Sequence, residues 1–181
     1  MLVLPPPIEP PLDRMGQWSR IWYQFLGQLV ESANAQRWKT VLKSSDEAIT
    51  EDTDLSDDFV LQFGVKANKT YVFCAEVFYD TPAAADFKYD VNGPGSPTLV
   101  RIETKSRAPG ATEIVASGQT AFAFGPNTIT TASATPGWIG LSGFVQNGVN
   151  AGTVSIRWAQ NSSSASATTV RAGSFLKYAV I

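Results

Sequence analysis

From residue 59 onward, apolar and polar residues alternate with a period of two, which is the pattern of strands that bury one face. In residues 59–65, Phe59, Leu61, Phe63 and Val65 share one face of such a strand. Residues 70–79 are apolar on both faces, which indicates a central strand that is covered on both sides. The predicted strands are 59–65, 70–79, 87–91, 99–104, 113–116, 120–124, 138–145, 154–158 and 175–180.

The breaks between these runs carry turn chemistry. Glycine, proline and asparagine cluster at 92–97, 108–110, 125–127, 136–137 and 147–148. Short strands separated by such turns, with no helical period after residue 40, are typical of an antiparallel all-β domain. We therefore expect residues 59–181 to form one antiparallel β-sandwich or jelly roll.

A helical period precedes this domain, in residues 13–36. Seven large apolar residues spaced alternately by three and one share a helix face: Trp18, Ile21, Trp22, Phe25, Leu26, Leu29 and Val30. Asp13 can cap the start of this helix, and Asn34 lies near its end. The apolar face packs on the β domain of the same chain, on a second copy, or on another protein.

Residues 1–12 form a proline-rich arm. Five of the eleven prolines of the chain lie in it: Pro5, Pro6, Pro7, Pro10 and Pro11. Proline fixes φ and lacks an amide hydrogen, so the arm is expected to be extended, without hydrogen bonds of its own. Two interpretations remain open, a disordered terminus or an extended arm that docks on another protein.

Residues 37–58 form a connector whose second half is strongly acidic. Seven carboxylates and no basic residue lie between residues 46 and 58: Asp46, Glu47, Glu51, Asp52, Asp54, Asp57 and Asp58. The run lacks the glycine turn and the terminal glutamate of an EF-hand loop, so we expect no calcium site. A solvated acidic connection is the interpretation that fits this composition.

Composition narrows the chemistry further. Only 17% of the 181 residues are charged and the net charge is -2, so we expect no binding to nucleic acid. The chain has no histidine and one cysteine, Cys74, which excludes histidine-assisted nucleophiles, imidazole-bound metals and an intrachain disulfide. Cys74 itself is expected to be a buried and inert thiol.

No apolar run is long enough to span a membrane, and the proline-interrupted start differs from a secretory signal. We therefore expect synthesis in a cytoplasm. A glycosidase that uses two carboxylates would need a defined pair, but no spacing singles one out among the carboxylates on or near the predicted strands: Glu76, Asp80, Asp86, Asp90 and Glu103. The expectation is a non-enzymatic protein without metal or cofactor.

Carbohydrate binding is an alternative that aromatic residues could support. Tyr79, Phe87, Tyr89 and Trp138 can stack on sugar rings where they are exposed, and they can equally fill a sandwich core or a subunit interface. An exposed aromatic row would favour sugar binding. Burial of all four would favour a structural role.

Two segments resemble small bacteriophage virion proteins. The opening of such proteins has a proline-rich stretch, Asp-x-x-Gly and a Trp-x-x-Phe helix, matched here by Pro11, Asp13, Gly16, Trp22, Phe25 and Leu26. Residues 154–178 resemble the end of phage fibre and decoration proteins. Their Trp-Ala-Gln-Asn segment is followed by a Ser/Thr/Ala loop and a Gly-Ser-aromatic-Leu strand. The two segments cover about a third of the chain.

The resemblance implies a structural or adhesive protein of the virion, made in the cytoplasm of the bacterial host. It implies a homotrimeric jelly roll, similar to tumour-necrosis-factor and C1q domains, that decorates the head or forms a fibre of the head or tail. Its implied partners are itself and other virion proteins, either capsid or portal, adaptor and tail proteins. The residues implied as virion anchors are Pro5, Pro6, Pro7, Ile8, Pro11, Trp18, Trp22, Phe25 and Leu26. The alternative is a receptor- or carbohydrate-binding knob at the tail, with a host-surface glycan as partner.

The trimer interface is the last expectation. Strands as apolar as 121–124 and 138–141, together with sparse surface charge, indicate an oligomer, while the number three comes from the resemblance. The final strand ends on apolar residues, so we place it inside the sheet, near the symmetry axis or the interface. The residues expected at the interface are Phe122, Phe124, Phe175 and Tyr178.

Overall fold

The computed structural model describes residues 19–35, 37–108, 114–123, 125–129 and 136–181. The chain divides into two compact units between Arg37 and Trp38, and each unit is described by itself. The first unit contains one described helix, α1 (Arg20–Ala35). The second unit contains every described strand and, among its described residues, no helix.

Helix α1 keeps the apolar spacing that the sequence shows. The carbonyl of Ser19 accepts the N–H of Tyr23 at 3.1 Å, which closes the first turn of the helix. The rings of Trp22 and Phe25 meet edge to face, with their centroids 5.6 Å apart. The predicted helix residues 13–18 and 36, like the arm 1–12, lie outside the described part of the chain.

The β unit consists of strands with alternating burial. In chain order they are β1 (Lys39–Leu42), β2 (Glu47–Ile49), β3 (Ser56–Val65), β4 (Thr70–Asp80), β5 (Phe87–Asn92), β6 (Leu99–Arg107), β7 (Val115–Gln119), β8 (Asn127–Ile129), β9 (Gly137–Gln146), β10 (Gly152–Gln160), β11 (Thr168–Val170) and β12 (Phe175–Val180). In β4 every second residue from Tyr71 to Tyr79 is buried, whereas the residues between them are at least partly exposed. Burial with a period of two is therefore present in β4, although the sequence predicts that both sides of this strand are covered. In β3 the prediction is wrong for Phe59, which is 85% exposed and does not share the buried face of Leu61, Phe63 and Val65.

These strands form two antiparallel sheets. The larger sheet has the order β1-β12-β4-β9-β6-β7, with β11 also beside β4 and β2 beside β11. The smaller sheet has the order β3-β10-β5-β8. The chain is mainly β, with antiparallel sheets and one short helix, which is consistent with the β-sandwich that the sequence predicts.

Strands pair from the two ends of the β unit inward. β1 pairs with β12, β2 with β11, β3 with β10, β4 with β9 and β5 with β8. The first two pairs lie in the larger sheet, and the next three alternate between the smaller and the larger sheet. Lys39 in β1 consequently lies opposite Tyr178 in β12. The hairpin of β6 and β7 follows β5 in the chain and extends the larger sheet beyond β9.

Aromatic rings from both sheets meet in the core. Tyr79 on β4 stacks on Phe87 on β5, with ring centroids 4.1 Å apart, and Phe87 lies 6.0 Å from Trp158 on β10. Phe63 on β3 stacks on Tyr178 on β12, with centroids 4.5 Å apart. The Tyr79–Phe87 and Phe63–Tyr178 pairs each join one sheet to the other, so they hold the two layers together.

The segment 120–124 differs from its predicted strand. Residues 120–123 form a turn, and the N–H of Ala123 donates to the carbonyl of Val91 at 2.9 Å. Ala123 has a φ of 50°, in the left-handed region, which interrupts any strand. The neighbouring strands also differ, because β7 begins at Val115 rather than at residue 113, and β8 follows the turn. A contact to β5, which the local pattern does not contain, decides the conformation here.

The connector 37–58 is not simply a solvated link. It contributes β1, β2 and the start of β3 to the two sheets. Asp46 lies against the loop before β12, where it accepts the N–H of Ala172 at 2.8 Å and an Arg171 N–H at 2.6 Å. These two partners lower the pKa of Asp46, the backbone bond contributing most. Arg171 and Ala172 are far from Asp46 along the chain, so the sequence around Asp46 shows no partner for its carboxylate.

Of the seven carboxylates, Asp58 differs most from the solvated connection that the sequence predicts, because its side chain is fully buried. Its Oδ1 accepts the backbone N–H groups of Val60 at 2.9 Å and Leu61 at 2.8 Å. Its Oδ2 lies 2.8 Å from Nζ of Lys43 and accepts Nε1–H of Trp158 at 3.2 Å. Every lone pair that burial would leave unsatisfied thus has a donor, which is what makes a buried carboxylate tolerable.

Lys43 has two carboxylate partners. Its side chain is 2% exposed, and its Nζ donates to Glu47 as well as to Asp58. Burial by itself would lower the pKa of Lys43, but the hydrogen bonds to Asp58 and Glu47 outweigh burial and raise the pKa above its usual 10.5.

The buried phenols Tyr79 and Tyr89 give a test of this core through pH. Burial raises the pKa of both groups, against hydrogen bonds from Thr104 and Ser106 in the case of Tyr89. A raised folded-state pKa stabilises the fold fully below the unfolded value of 10.0, and this contribution is lost as pH rises above that value. We expect the tyrosinate absorbance of the native protein to develop at higher pH than that of the unfolded chain.

The measurement is an ultraviolet pH titration with and without denaturant, repeated on Tyr79→Phe and Tyr89→Phe. In each variant, the difference in pH between the native and the denatured titration curves should be smaller than in the wild type. Superimposable native and denatured curves for the wild-type protein would contradict the burial of these two phenols.

Candidate functional site

The side of the larger sheet that faces away from the core is the candidate functional surface, named the outer face here. Its members are the alternate residues opposite one another in the strand register. They are Phe175 and Lys177 on β12, Val72, Cys74, Glu76 and Phe78 on β4, Trp138, Gly140, Ser142 and Phe144 on β9, and Arg101, Glu103, Lys105 and Arg107 on β6.

A groove crosses the middle of the outer face. It has a volume of about 310 Å³ and is lined by Cys74, Glu76, Glu103, Lys105, Trp138, Gly140, Leu141 and Ser142. A second groove of about 280 Å³ is lined by Arg107, Ile114 and Trp138, so Trp138 borders both. Small side chains at 74, 140 and 142 keep the floor of the first groove low.

Trp138 is held in a defined position between the two grooves. Its Nε1–H donates to a carboxylate oxygen of Glu76 on the neighbouring strand. A Cβ on residue 140 would lie only 2.6 Å from Cζ2 of Trp138, so the glycine at this position makes room for the indole. The indole is half-buried, and its position is set by β4 and β9 together.

The outer face combines apolar and charged side chains. Phe78 is 38% exposed, Leu42 on the neighbouring β1 is 60% exposed, and Phe144 and Phe175 are half-buried. Lys105 and Glu103 stand on the rim of the groove. Such a surface can pack against another apolar protein surface, and its groove can also take a polar ring that stacks on an indole.

The structure places the four expected interface residues differently. Phe175 lies on the outer face, opposite Glu76. Tyr178 lies on the inner side of the same strand, where it stacks on Phe63, and Phe122 packs against the core. Phe124 lies outside the described residues. Of the three described residues, only Phe175 faces outward from the sheet. Tyr178 is three residues further along the same strand and therefore points to the opposite side, and Phe122 lies in the turn 120–123.

Three of the four aromatic residues considered for sugar stacking are also core residues. Tyr79, Phe87 and Tyr89 are buried between the sheets, which removes them from any exposed row. Trp138 alone is partly exposed, and it borders both grooves. Phe144 belongs to the outer face and was not among the predicted site residues. Its alternation with Trp138 in β9 is the sequence signal that could have identified it.

The expected virion anchors divide into described and undescribed residues. Trp22, Phe25 and Leu26 lie on α1. The others lie outside the described part of the chain: Pro5, Pro6, Pro7, Ile8, Pro11 and Trp18. Ile21, Leu26, Leu29 and Val30 of the helix are exposed within this unit.

Two general searches of the described residues complete the site analysis. No group of three or more cysteine and acidic side chains there is arranged to hold a metal ion. No helix in the described part of the chain is long and apolar enough to cross a membrane.

Comparison with known proteins finds only weak structural likenesses. No family model matches the chain, and no curated protein matches it. Among solved structures it is similar to the carbohydrate-binding module TmCBM61, whose structure is of a complex with β-1,4-galactotriose, at 11% identity and a TM-score of 0.30; the match covers 81% of this chain and 91% of that chain. It is also similar to the VP2 protein of infectious bursal disease virus, at 11% identity and a TM-score of 0.20, covering 80% of this chain and 40% of that one. Likenesses at this level assign no function.

Proposed function

We propose that this chain is a structural protein of a bacteriophage virion, a homotrimer anchored through its N-terminal segment as a head-decoration, head-fibre or tail-fibre protein. The observation that carries the proposal is the outer face, whose exposed and half-buried apolar side chains lie on central strands of the larger sheet. The resemblance of the opening and closing segments to phage virion proteins supports the viral assignment. No cofactor, metal or catalytic residue enters the proposal.

The nested strand pairing supports a jelly roll. Apart from the short pair β2–β11, the antiparallel pairs β1–β12, β3–β10, β4–β9 and β5–β8 are nested from the chain ends inward and alternate between the two sheets, which is the order of that fold. Trimeric domains of the tumour-necrosis-factor and C1q type are the members of this architecture that the resemblance implies.

The outer face is the proposed subunit interface. Phe175, Phe144 and Phe78 would be covered by the neighbouring subunits, because closed cyclic symmetry removes such surfaces without leaving one that polymerises. Phe175 remains an interface residue in this proposal. Tyr178 and Phe122 do not, since their own chain already covers them.

The helical unit is the proposed virion anchor. Its exposed apolar residues, among them Ile21, Leu26 and Leu29, would pack on a capsid, portal, adaptor or tail protein. The first and second units are each compact, which supports separate roles for them: the first would attach to the virion and the second would form the trimer.

A second candidate function is favoured by the groove beside Trp138. An oriented indole with Glu76, Glu103 and Lys105 around it offers one stacking surface and several hydrogen-bonding groups, as a sugar ring requires. The protein would then be a receptor- or carbohydrate-binding knob at the tail. The two functions use the same face of the larger sheet. The reactivity of the Cys74 thiol with a reagent in solution therefore distinguishes them.

We expect light scattering to give a mass of about three times 19.5 kDa for the wild-type protein. Phe175→Glu should dissociate the oligomer, because it buries a charge in the apolar interface. Phe59→Glu is the matched control, since Phe59 lies on the smaller sheet and is 85% exposed. Cys74, the single thiol, should react slowly with a maleimide in the wild type and rapidly in Phe175→Glu.

Each other outcome points elsewhere. A monomeric wild type whose Cys74 is protected from the reagent by an oligosaccharide would replace the trimer by the glycan-binding function. Dissociation by Phe59→Glu alone would place the interface on the smaller sheet. A mass of two chains would retain the interface and remove the trimeric assignment.

We further expect residues 38–181 to fold without residues 1–37, and to be absent from particles assembled in the host. In the full chain, Trp22→Ala together with Phe25→Ala should weaken incorporation, since truncating an aromatic anchor costs about 2 kcal/mol or more. Tyr23→Ala, at an exposed position of the same helix, is the control. Copy number is counted by quantitative mass spectrometry of purified particles, and normal incorporation of residues 38–181 alone would contradict the anchor.

A further inference from the structure

An amine and a carboxyl group are enclosed together where the connector meets the β unit. Nζ of Lys43 lies 2.8 Å from Oδ2 of Asp58, and the two side chains are 2% and 0% exposed. Trp158 covers the same carboxylate through its indole N–H. The pair is therefore positioned as reactants would be, at contact distance and away from bulk water.

We propose that Lys43 and Asp58 react with each other to form an intramolecular amide cross-link between Nζ of Lys43 and Cγ of Asp58. The proposal is independent of the virion function, because it concerns only the chemistry of the folded β unit. It is carried by three groups around Asp58 and Lys43, which fill two roles: the N–H groups of Val60 and Leu61 fill the first, and the carboxylate of Glu47 fills the second.

The first role is stabilisation of the oxygen that gains charge. When Nζ attacks Cγ, negative charge develops on Oδ1 of Asp58. The N–H groups of Val60 and Leu61 already point at this oxygen, at 2.9 and 2.8 Å. Two preorganised backbone donors at such distances form the arrangement that stabilises tetrahedral intermediates in acyl transfer.

The second role is proton transfer, and Glu47 supplies it. The carboxylate of Glu47 accepts a hydrogen bond from Nζ of Lys43, so it touches the nitrogen that must lose protons. Glu47 is four residues from Lys43 and is partly exposed, whereas Asp58 is enclosed. Glu47 can thus exchange protons while Asp58 is the electrophile.

The reaction balances without any other reactant. The ammonium of Lys43 carries three protons. One first passes directly to Oδ2 of Asp58, against the raised pKa of Lys43, which gives the minor neutral pair of amine and carboxylic acid that reacts. A second passes through Glu47 to the same oxygen after attack, and the third remains on the amide nitrogen. The C–O bond to Oδ2 breaks as the C–N bond forms, and one water molecule leaves. An ammonium and a carboxylate become a neutral amide, which removes two charges from the interior.

The test is the intact mass of the full chain under denaturing conditions. The wild type should be lighter than its sequence by one water molecule. Lys43→Arg should have the full mass of its sequence, because a guanidinium does not attack. Glu47→Gln keeps the amine and the carboxyl group but loses the base, so freshly purified protein should also have its full mass. Lys39→Arg, at the start of β1 and four residues before Lys43, is the matched control and should keep the loss of water.

Trypsin locates the bond. The basic residues that flank Lys43 are Lys39 and Lys66, so an unmodified chain gives peptides 40–43 and 44–66. The cross-linked chain should resist cleavage after Lys43 and give a single peptide 40–66 that is one water lighter. A wild type of full sequence mass after prolonged incubation at neutral pH overturns the proposal. So does a loss of water that persists in Lys43→Arg, and full reaction of Glu47→Gln overturns the role of Glu47.

Discussion

The contact between Tyr79 and Phe87 joins the two sheets, and much of the described β unit depends on it. From this pair the packing continues through Phe87 to Trp158, whose indole N–H reaches the buried carboxylate of Asp58. Asp58 in turn holds Lys43, which follows β1 directly. One line of contacts thus runs from the apolar centre to the polar cluster at the start of the unit, so a change at either end is felt by the other.

Strand β4 links this core to the candidate site. Its buried residues, Tyr79 among them, build the interior, while Glu76 and Phe78 between them form part of the outer face. The carboxylate of Glu76 orients Trp138, and Gly140 leaves the space that the indole occupies. The outer face therefore has a defined shape because the strand beneath it is fixed from the other side. A preorganised surface of this kind suits either a subunit interface or a sugar-binding groove.

Strands such as 70–79 and 175–180 could be predicted from sequence because a bounded run of apolar residues is a local signal. The prediction that 70–79 is covered on both sides differs from the structure of the β unit, in which one side of the strand is buried and the other is at least partly exposed. The partners of the carboxylates could not be predicted from sequence. Asp46 contacts Arg171, which is far away in the chain, and Asp58 contacts Lys43 only because the fold brings the two together. The prediction places both Phe175 and Tyr178 at the interface, whereas residues three apart in one strand face opposite sides of the sheet, so strand geometry alone allows only one of them there. The turn at 120–123 depends on a contact to β5, which no window of sequence contains.

The nested pairing has a mechanical consequence when the β unit is pulled at β1. Lys39 lies opposite Tyr178, and Leu42 lies opposite Phe175. A force that pulls the start of β1 away from the end of β12 would therefore break the pairing of these strands one residue pair at a time. The opening would then reach Lys43, whose backbone bonds to Gly173 and Ser174 and whose side chain is enclosed with Asp58. These bonds of Lys43 would resist further opening, so the connector would limit how far such a pull separates β1 from the sandwich.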